Sequence, residues 1–271
     1  MKNKIKKYFG YAVKSNRPSL NEKFNRLSIL NKAIKKFLLW NIDTAMRYYP
    51  VIKYIESTGK NNLKILDAGS GSLGLSLYYP RRSVNLDINF SGPKLPHSFK
   101  VSGSILNIPF RKGAFDLVAC IDTLEHLPSN QRKKALQEII NASRDGVIIS
   151  FPCGRSAEKS DLQYNQIIKN RTGKDHPFLL EHFKYQLPDD EMIKNELKAI
   201  LDKDGLKYTI KKHGNYGIGL LSFFRKHMHE GNIMFYFITN KILFFLFPFL
   251  RLIRSQRFYR TVLIIERTRE S

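Results

Sequence analysis

Residues 64–74 read Lys64-Ile65-Leu66-Asp67-Ala68-Gly69-Ser70-Gly71-Ser72-Leu73-Gly74, and this run decides the fold. A short apolar stretch ends in an acid, passes into a glycine-rich turn and enters what reads as a helix. Glycines at 69 and 71 let a backbone turn sharply and approach a ligand closely. Alone, the spacing Gly69-x-Gly71-x-x-Gly74 also fits a dinucleotide fingerprint or a plain turn. The position of the acids separates these readings. Asp67 stands two residues before the first glycine, where its carboxylate would repel a pyrophosphate. Asp87 closes the next apolar run, twenty positions on, where a carboxylate can accept both hydroxyls of a ribose. The ligand implied has a ribose and a positive charge but no phosphates, as S-adenosylmethionine has.

Outward from this run the chain alternates. Strands are expected at 64–68, 83–87, 115–121 and 146–151, with a helix over 131–142 capped by Ser129 or Asn130. Such alternation predicts a parallel sheet covered on both faces. Beyond Pro152 the pattern loosens into an insertion over 154–188, rich in His, Lys and aromatic residues. Pro188-Asp189-Asp190-Glu191 then opens a helix whose acidic first turn suits the helix dipole. That helix runs to Asp204-Gly205, and two further strands are expected at 206–212 and 260–267.

The motifs, taken in order, resemble the class I, Rossmann-like methyltransferases that use S-adenosylmethionine, in particular the methyltransferase type 11 group. LDAGSGSLG resembles their first motif and VNLDIN, with Asp87, their acidic second motif. Residues 103–110, 115–118, 122–127 and 145–151 are similar to the downstream family sequence. The resemblance covers about 62–153 and the two late strands. It implies a seven-stranded α/β sheet with helices on both faces, an N-terminal helical extension and a helical insertion between the last two strands. It also implies S-adenosylmethionine as cofactor. Asp67, Gly69, Ser70 and Gly71 would border its methionine part, Asp87 and Ile88 its ribose, Ser104 and Ile105 its adenine, and Ile121 the meeting point with substrate. Ser104 departs from the family, which often has Asp there.

For a hydroxyl acceptor the enzyme must align two reactants and help remove a proton. The candidates are Asp122, Glu125, His126, His176, Glu181 and His182. Glu125-His126 is common in the family and reads first as structural. His176 and His182 lie in the less usual insertion and are the preferred catalytic pair, with Asp122 and His126 beside them. No metal site is expected, because that segment supplies too few ligands at defined spacing.

The flanks carry the remaining signals. Of 271 residues, 46 are Lys or Arg and 23 are Asp or Glu, a net charge of +23. Such a charge points to an anionic partner. Two cysteines, Cys120 and Cys153, fit no disulfide framework or metal spacing, and no signal peptide is evident, so a cytoplasmic setting is expected. Residues 1–60 read as a basic helical extension, with one amphipathic helix through Leu27, Leu30, Ile34, Phe37 and Leu38 and a second over 45–55. Residues 61–153 form the cofactor core, and 154–271 hold the substrate-side insertions and last strands. Between the late strands lies an aromatic, apolar stretch over 233–253. Asn240 and Lys241 interrupt it, Pro248 breaks its end, and Arg251, Arg254, Arg257 and Arg260 form a basic rim. Its uninterrupted run is too short to span a bilayer. Together with the basic N-terminus, residues 233–260 read as a peripheral contact with an anionic membrane surface. The expected acceptor is therefore small and amphiphilic, or a glycan or lipid-linked intermediate, methylated on oxygen. RNA methylation ranks second, since no RNA-binding module is recognised, and a non-catalytic cofactor-binding role third.

Overall fold

The computed structural model describes residues 37–79, 81–90, 95, 97–230, 233–250 and 257–268. The expected amphipathic helix around Leu27–Ile34 lies outside the described residues, as do Arg251 and Arg254. The first described element of length is α1 (Ile42–Ser57), capped by Asn41, whose side chain accepts from the Thr44 amide. Pro50 lies inside this helix rather than limiting it.

The sheet strands are β1 (Ile65–Ala68), β2 (Ser83–Asp87), β3 (Ser98–Ser102), β4 (Phe115–Ile121), β5 (Ser143–Pro152), β6 (Tyr208–Gly217) and β7 (Phe258–Arg267). Their order is β3-β2-β1-β4-β5-β7-β6. The pairs through β5 are parallel, and β7 runs antiparallel to both β5 and β6. The order reverses between β1 and β4, which makes the cleft at their carboxyl ends the expected ligand crevice.

β1 and β4 are buried at every position. Alternate residues of these strands supply two separate cores, one on each face. Ile65, Leu117, Ala119 and Ile121 pack with α1, with α3 (Arg155–Thr172) and with α6 (Ile218–Glu230). Leu66, Val118 and Cys120 pack on the other face with α2 (Ser129–Ala142) and α5 (Asp190–Lys203). α2 begins one residue after Pro128 and has no side-chain cap, so Ser129 and Asn130 lie in its first turn instead of capping it.

The insertion after β5 is helical, not irregular. α3 is followed by Gly173 in the left-handed conformation, and α4 (Pro177–Tyr185) starts behind His176. α7 (Ile233–Leu250) joins α6 to β7. Because β6 ends and β7 begins at the same edge as the carboxyl ends of the parallel strands, the α6–α7 insertion leaves and returns on the ligand side.

Asn240 and Lys241, which interrupt the apolar run in sequence, are buried pegs. Asn240 accepts from the Ile42 amide at 3.1 Å and donates to the Trp40 carbonyl at 2.8 Å. The Lys241 ammonium donates to the carbonyls of Phe37, Leu38 and Trp40. Pro248 sits within α7, which continues to Leu250. No helix among the described residues is long and apolar enough to cross a membrane.

Candidate active site

The glycine loop turns through three positive φ values, +76° at Gly69, +61° at Gly71 and +52° at Gly74. Each is readily available only to glycine. A side chain at Gly69 would also collide with Thr123, its Cβ falling 2.3 Å from the Thr123 hydroxyl. At Gly71 the corresponding space is open. The loop is tied down from β2. The amides of Gly69 and Ser70 both donate to the Leu86 carbonyl, and the Gly71 amide donates to Asp87 Oδ2 at 2.8 Å. Asp87 Oδ1 accepts from the Asn89 amide. The carboxylate at the tip of β2 therefore links the loop to its own turn and stays half-buried. Loop and carboxylate together form a cradle that is bare backbone at Gly71.

Asp67 has a different position. It is completely buried, and Oδ2 accepts the Leu75 amide at 2.7 Å while Oδ1 accepts from the Tyr48 hydroxyl at 3.4 Å. Burial pushes its carboxyl up to about 7, against the opposing effect of those two hydrogen bonds. Asp67 thus fixes the far end of the loop. Ile88 projects from the tip of β2 and is 77% exposed, whereas Ile105 and Ile121 are buried. Ser104 closes a local turn, its hydroxyl accepting the Leu106 amide.

Beyond β4 the chain turns at Asp122, whose φ of +50° is unusual for a residue with a side chain. Asp122 is gripped by Arg260, whose Nε lies 2.8 Å from both carboxylate oxygens and whose Nη2 lies 2.7 Å from Oδ2. Arg47 approaches the same carboxylate at 3.3 Å and also pairs with Asp43. Arg260 is fully buried. It belongs to the site's interior, which corrects its reading as part of a basic surface rim.

A second polar cluster follows at once. Glu125 and His126 sit on a short 3-10 turn (Leu124–His126) packed against α4. His126 Nδ1 meets Glu181 Oε2 at 2.8 Å, and His182 Nδ1 meets Asp161 Oδ2 at 2.8 Å. The two imidazole centroids are 5.0 Å apart. Asp161 also accepts from Arg225 and from the Tyr259 hydroxyl. Burial alone would raise the Asp161 carboxyl, but His182 and Arg225 draw it below the usual range. Burial disfavours the charged form of His126, yet the Glu181 and Glu125 carboxylates outweigh it and raise its pKa. Burial, with the Asp122 charge added, raises Glu125. The His176 ring lies at the edge of this group, in tilted contact with Tyr164 and Phe178.

Residues 66–151 match the family model described as a methyltransferase domain. That segment contains the whole glycine cradle and Asp87. The chain carries an S-adenosylmethionine-dependent methyltransferase domain. No curated protein matches the chain in sequence. Solved structures similar to it include magnesium protoporphyrin IX methyltransferase from Synechocystis PCC 6803 with bound SAH, at 12% identity and TM-score 0.48, covering 92% of this chain and 94% of that one. Small RNA methyltransferase HEN1 is similar at 18% identity and TM-score 0.49, covering 86% and 27%. The YcgJ protein from Bacillus subtilis is similar at 12% identity and TM-score 0.44, covering 82% and 100%.

In this methyltransferase, bound S-adenosylmethionine supplies an electrophilic methyl group on a sulfonium. The chain gathers Gly69, Ser70, Gly71 and Asp87 into one cradle, with Ile121 and Asp122 directly beyond it. His126 and His182, 56 positions apart, converge through α4. His176 lies further out. Sequence reasoning missed Asp161, Arg225 and Tyr259, whose partners are remote in sequence, and Arg47, which joins its neighbour Asp43 to the remote Asp122. It also missed Thr123, although that residue lies inside the family-like 122–127 run.

Proposed function

We propose that the methyltransferase acts on a hydroxyl oxygen of an amphiphilic acceptor, glycan-type or lipid-linked, at an anionic membrane surface. The observation that carries this reading is the outward face of α7. Ile238, Ile242, Phe245 and Phe249 lie along one stripe and are 50%, 54%, 68% and 68% exposed. Isolated exposed apolar residues are ordinary, but a contiguous stripe implies a partner. The stripe belongs to the insertion that leaves and returns at the ligand edge of the sheet. The net charge of +23 favours an anionic surface beside it.

In the transfer, the acceptor oxygen forms a bond to the methyl carbon in line with the breaking carbon–sulfur bond. The sulfur keeps that bond's electron pair, and the acceptor proton leaves to a basic group or to water. The cradle and Asp87 orient the cofactor. Asp122, immobilised by Arg260, positions the turn between cradle and acceptor. Glu125, His126 and His182, gathered within 4.8 Å of one another, are the groups assigned to assist proton loss.

Co-sedimentation with phosphatidylcholine vesicles, with and without phosphatidylglycerol, tests the surface. Binding at low salt only to the anionic vesicles, abolished by F245E/F249E, is expected. Indifference to both kinds of vesicle refutes the membrane reading. The charge of +23 also suits RNA, and salt-sensitive RNA binding with no vesicle binding would favour that acceptor instead.

A further inference from the structure

We propose that Glu125, His126 and His182 form a binding site for one divalent transition-metal ion. One ligand atom from each residue lies within 4.8 Å of the other two. Ligands on a tetrahedral or octahedral first-row ion stand roughly 3–3.5 Å apart, so the three groups need only a small inward movement to close on one. Several independent features of the cluster favour a cation.

Glu125 is 1% exposed, and its Oε2 has no hydrogen-bond partner. An unsatisfied buried carboxylate oxygen is costly, and a bound cation would relieve that cost. Both imidazoles are oriented from behind. Glu181 takes Nδ1 of His126, and Asp161 takes Nδ1 of His182. A carboxylate on one ring nitrogen fixes the proton there and leaves the Nε2 lone pair for a metal. Asp161 is itself held by Arg225 and Tyr259, so it is a rigid anion with its second oxygen free for His182.

Two imidazole nitrogens and one carboxylate select ions of the zinc, cobalt, iron or manganese type over magnesium and calcium, which prefer oxygen ligands. Three protein ligands leave coordination positions for water or substrate, the pattern of catalytic rather than structural sites. The cluster begins two residues after Thr123, which touches Gly69 of the cradle. An ion there would lower the pKa of an acceptor hydroxyl, so this inference deepens the oxygen-transfer reading and rests on it for the ion's role. Binding of the ion does not depend on that reading.

The test is titration of the chelator-treated, full-length protein with Co2+, followed by its visible d–d absorption and then by displacement with Zn2+. One Co2+ per chain is expected. Binding should weaken at least tenfold, and on the order of a hundredfold, in E125Q and in H182N. Binding of S-adenosylhomocysteine by the same variants shows that they are folded and that the cofactor cradle is intact. A wild-type protein that binds S-adenosylhomocysteine but not Co2+, Zn2+ or Mn2+ overturns the metal site and leaves the methyltransferase domain standing. Stoichiometric Co2+ binding that is unchanged in both variants overturns the assignment to these residues. Co2+ binding lost in the variants, with no methyl transfer to any hydroxyl acceptor, keeps the site and removes the oxygen-transfer reading.

Discussion

Gly69→Ala isolates what the cradle requires of its first glycine. Two penalties add at this position. At φ +76° a residue with a Cβ adopts the left-handed region at a cost of about 1–2 kcal/mol. The new methyl group would lie 2.3, 2.4 and 2.9 Å from Thr123 Oγ1, Cγ2 and Cβ. Relieving such overlap in packed structure costs roughly 1–3 kcal/mol. Together these amount to about 2–5 kcal/mol, acting on one turn. The loop can escape by abandoning the turn, in which case the binding-competent conformation is depleted rather than the whole fold. Affinity for S-adenosylhomocysteine should then fall by about thirtyfold to several thousandfold, while the urea midpoint moves little. Thr123→Gly removes all three clashing atoms and leaves only the φ penalty. In the double variant, affinity should recover about fivefold to a hundredfold relative to Gly69→Ala, corresponding to the 1–3 kcal/mol steric share. Calorimetric titration of the four proteins completes the cycle. Wild-type affinity in Gly69→Ala, or no recovery in the double variant, refutes the claim that Thr123 leaves no room for a side chain at Gly69.

Three further outcomes follow from the buried charges. Asp122→Ala takes from the fully buried Arg260 the carboxylate at 2.7 Å and leaves it Asp43 at 3.6 Å, which should cost up to about 3–5 kcal/mol in urea unfolding, whereas D122L/R260M should recover most of it. Asp67 is raised from 3.8 to about 7 by burial, so between those values the folded chain binds more protons than the unfolded one. Its contribution to stability therefore falls as pH rises through that window, by roughly 4 kcal/mol in total, and Asp67→Asn should flatten the urea midpoint between pH 4 and pH 7. Lys241→Met removes the donor to three carbonyls of the 37–40 segment and should cost about 1.5–3 kcal/mol, with faster proteolysis ahead of α1 and little change in S-adenosylhomocysteine affinity.

The parts legible in sequence are those in which a single physical pattern decides the structure. β2 and β4 fall at the expected residues and β1 begins one residue later, because apolar runs of strand length lie between turn signals. The acids at 67 and 87 lie at strand ends, as their spacing implied. β3 was not foreseen, since Ser98–Ser102 is short, mixed in polarity and largely open on one side. α3 hid for a related reason. Its buried face is Ala157, Ser160, Asp161 and Ile168, so no apolar stripe announces it. The two polar residues on that face are there for Arg225 and His182, partners that only the fold supplies.

Charge was the property least readable from position. Arg260 follows a run of arginines and reads as surface, yet its partner Asp122 lies 138 residues away. Lys241 reads as a break in an apolar helix, yet it anchors the chain that enters α1. In both cases a cation that looks solvated in sequence is buried because carboxylate or carbonyl oxygens converge on it. The same logic runs in reverse at Glu125. There an anion is buried with two oriented imidazoles beside it and one oxygen unmatched. Arg260 and Lys241 are met by oxygens of the chain itself, whereas no donor among the described residues meets Glu125 Oε2. The ion proposed for this cluster would supply the partner that Oε2 lacks.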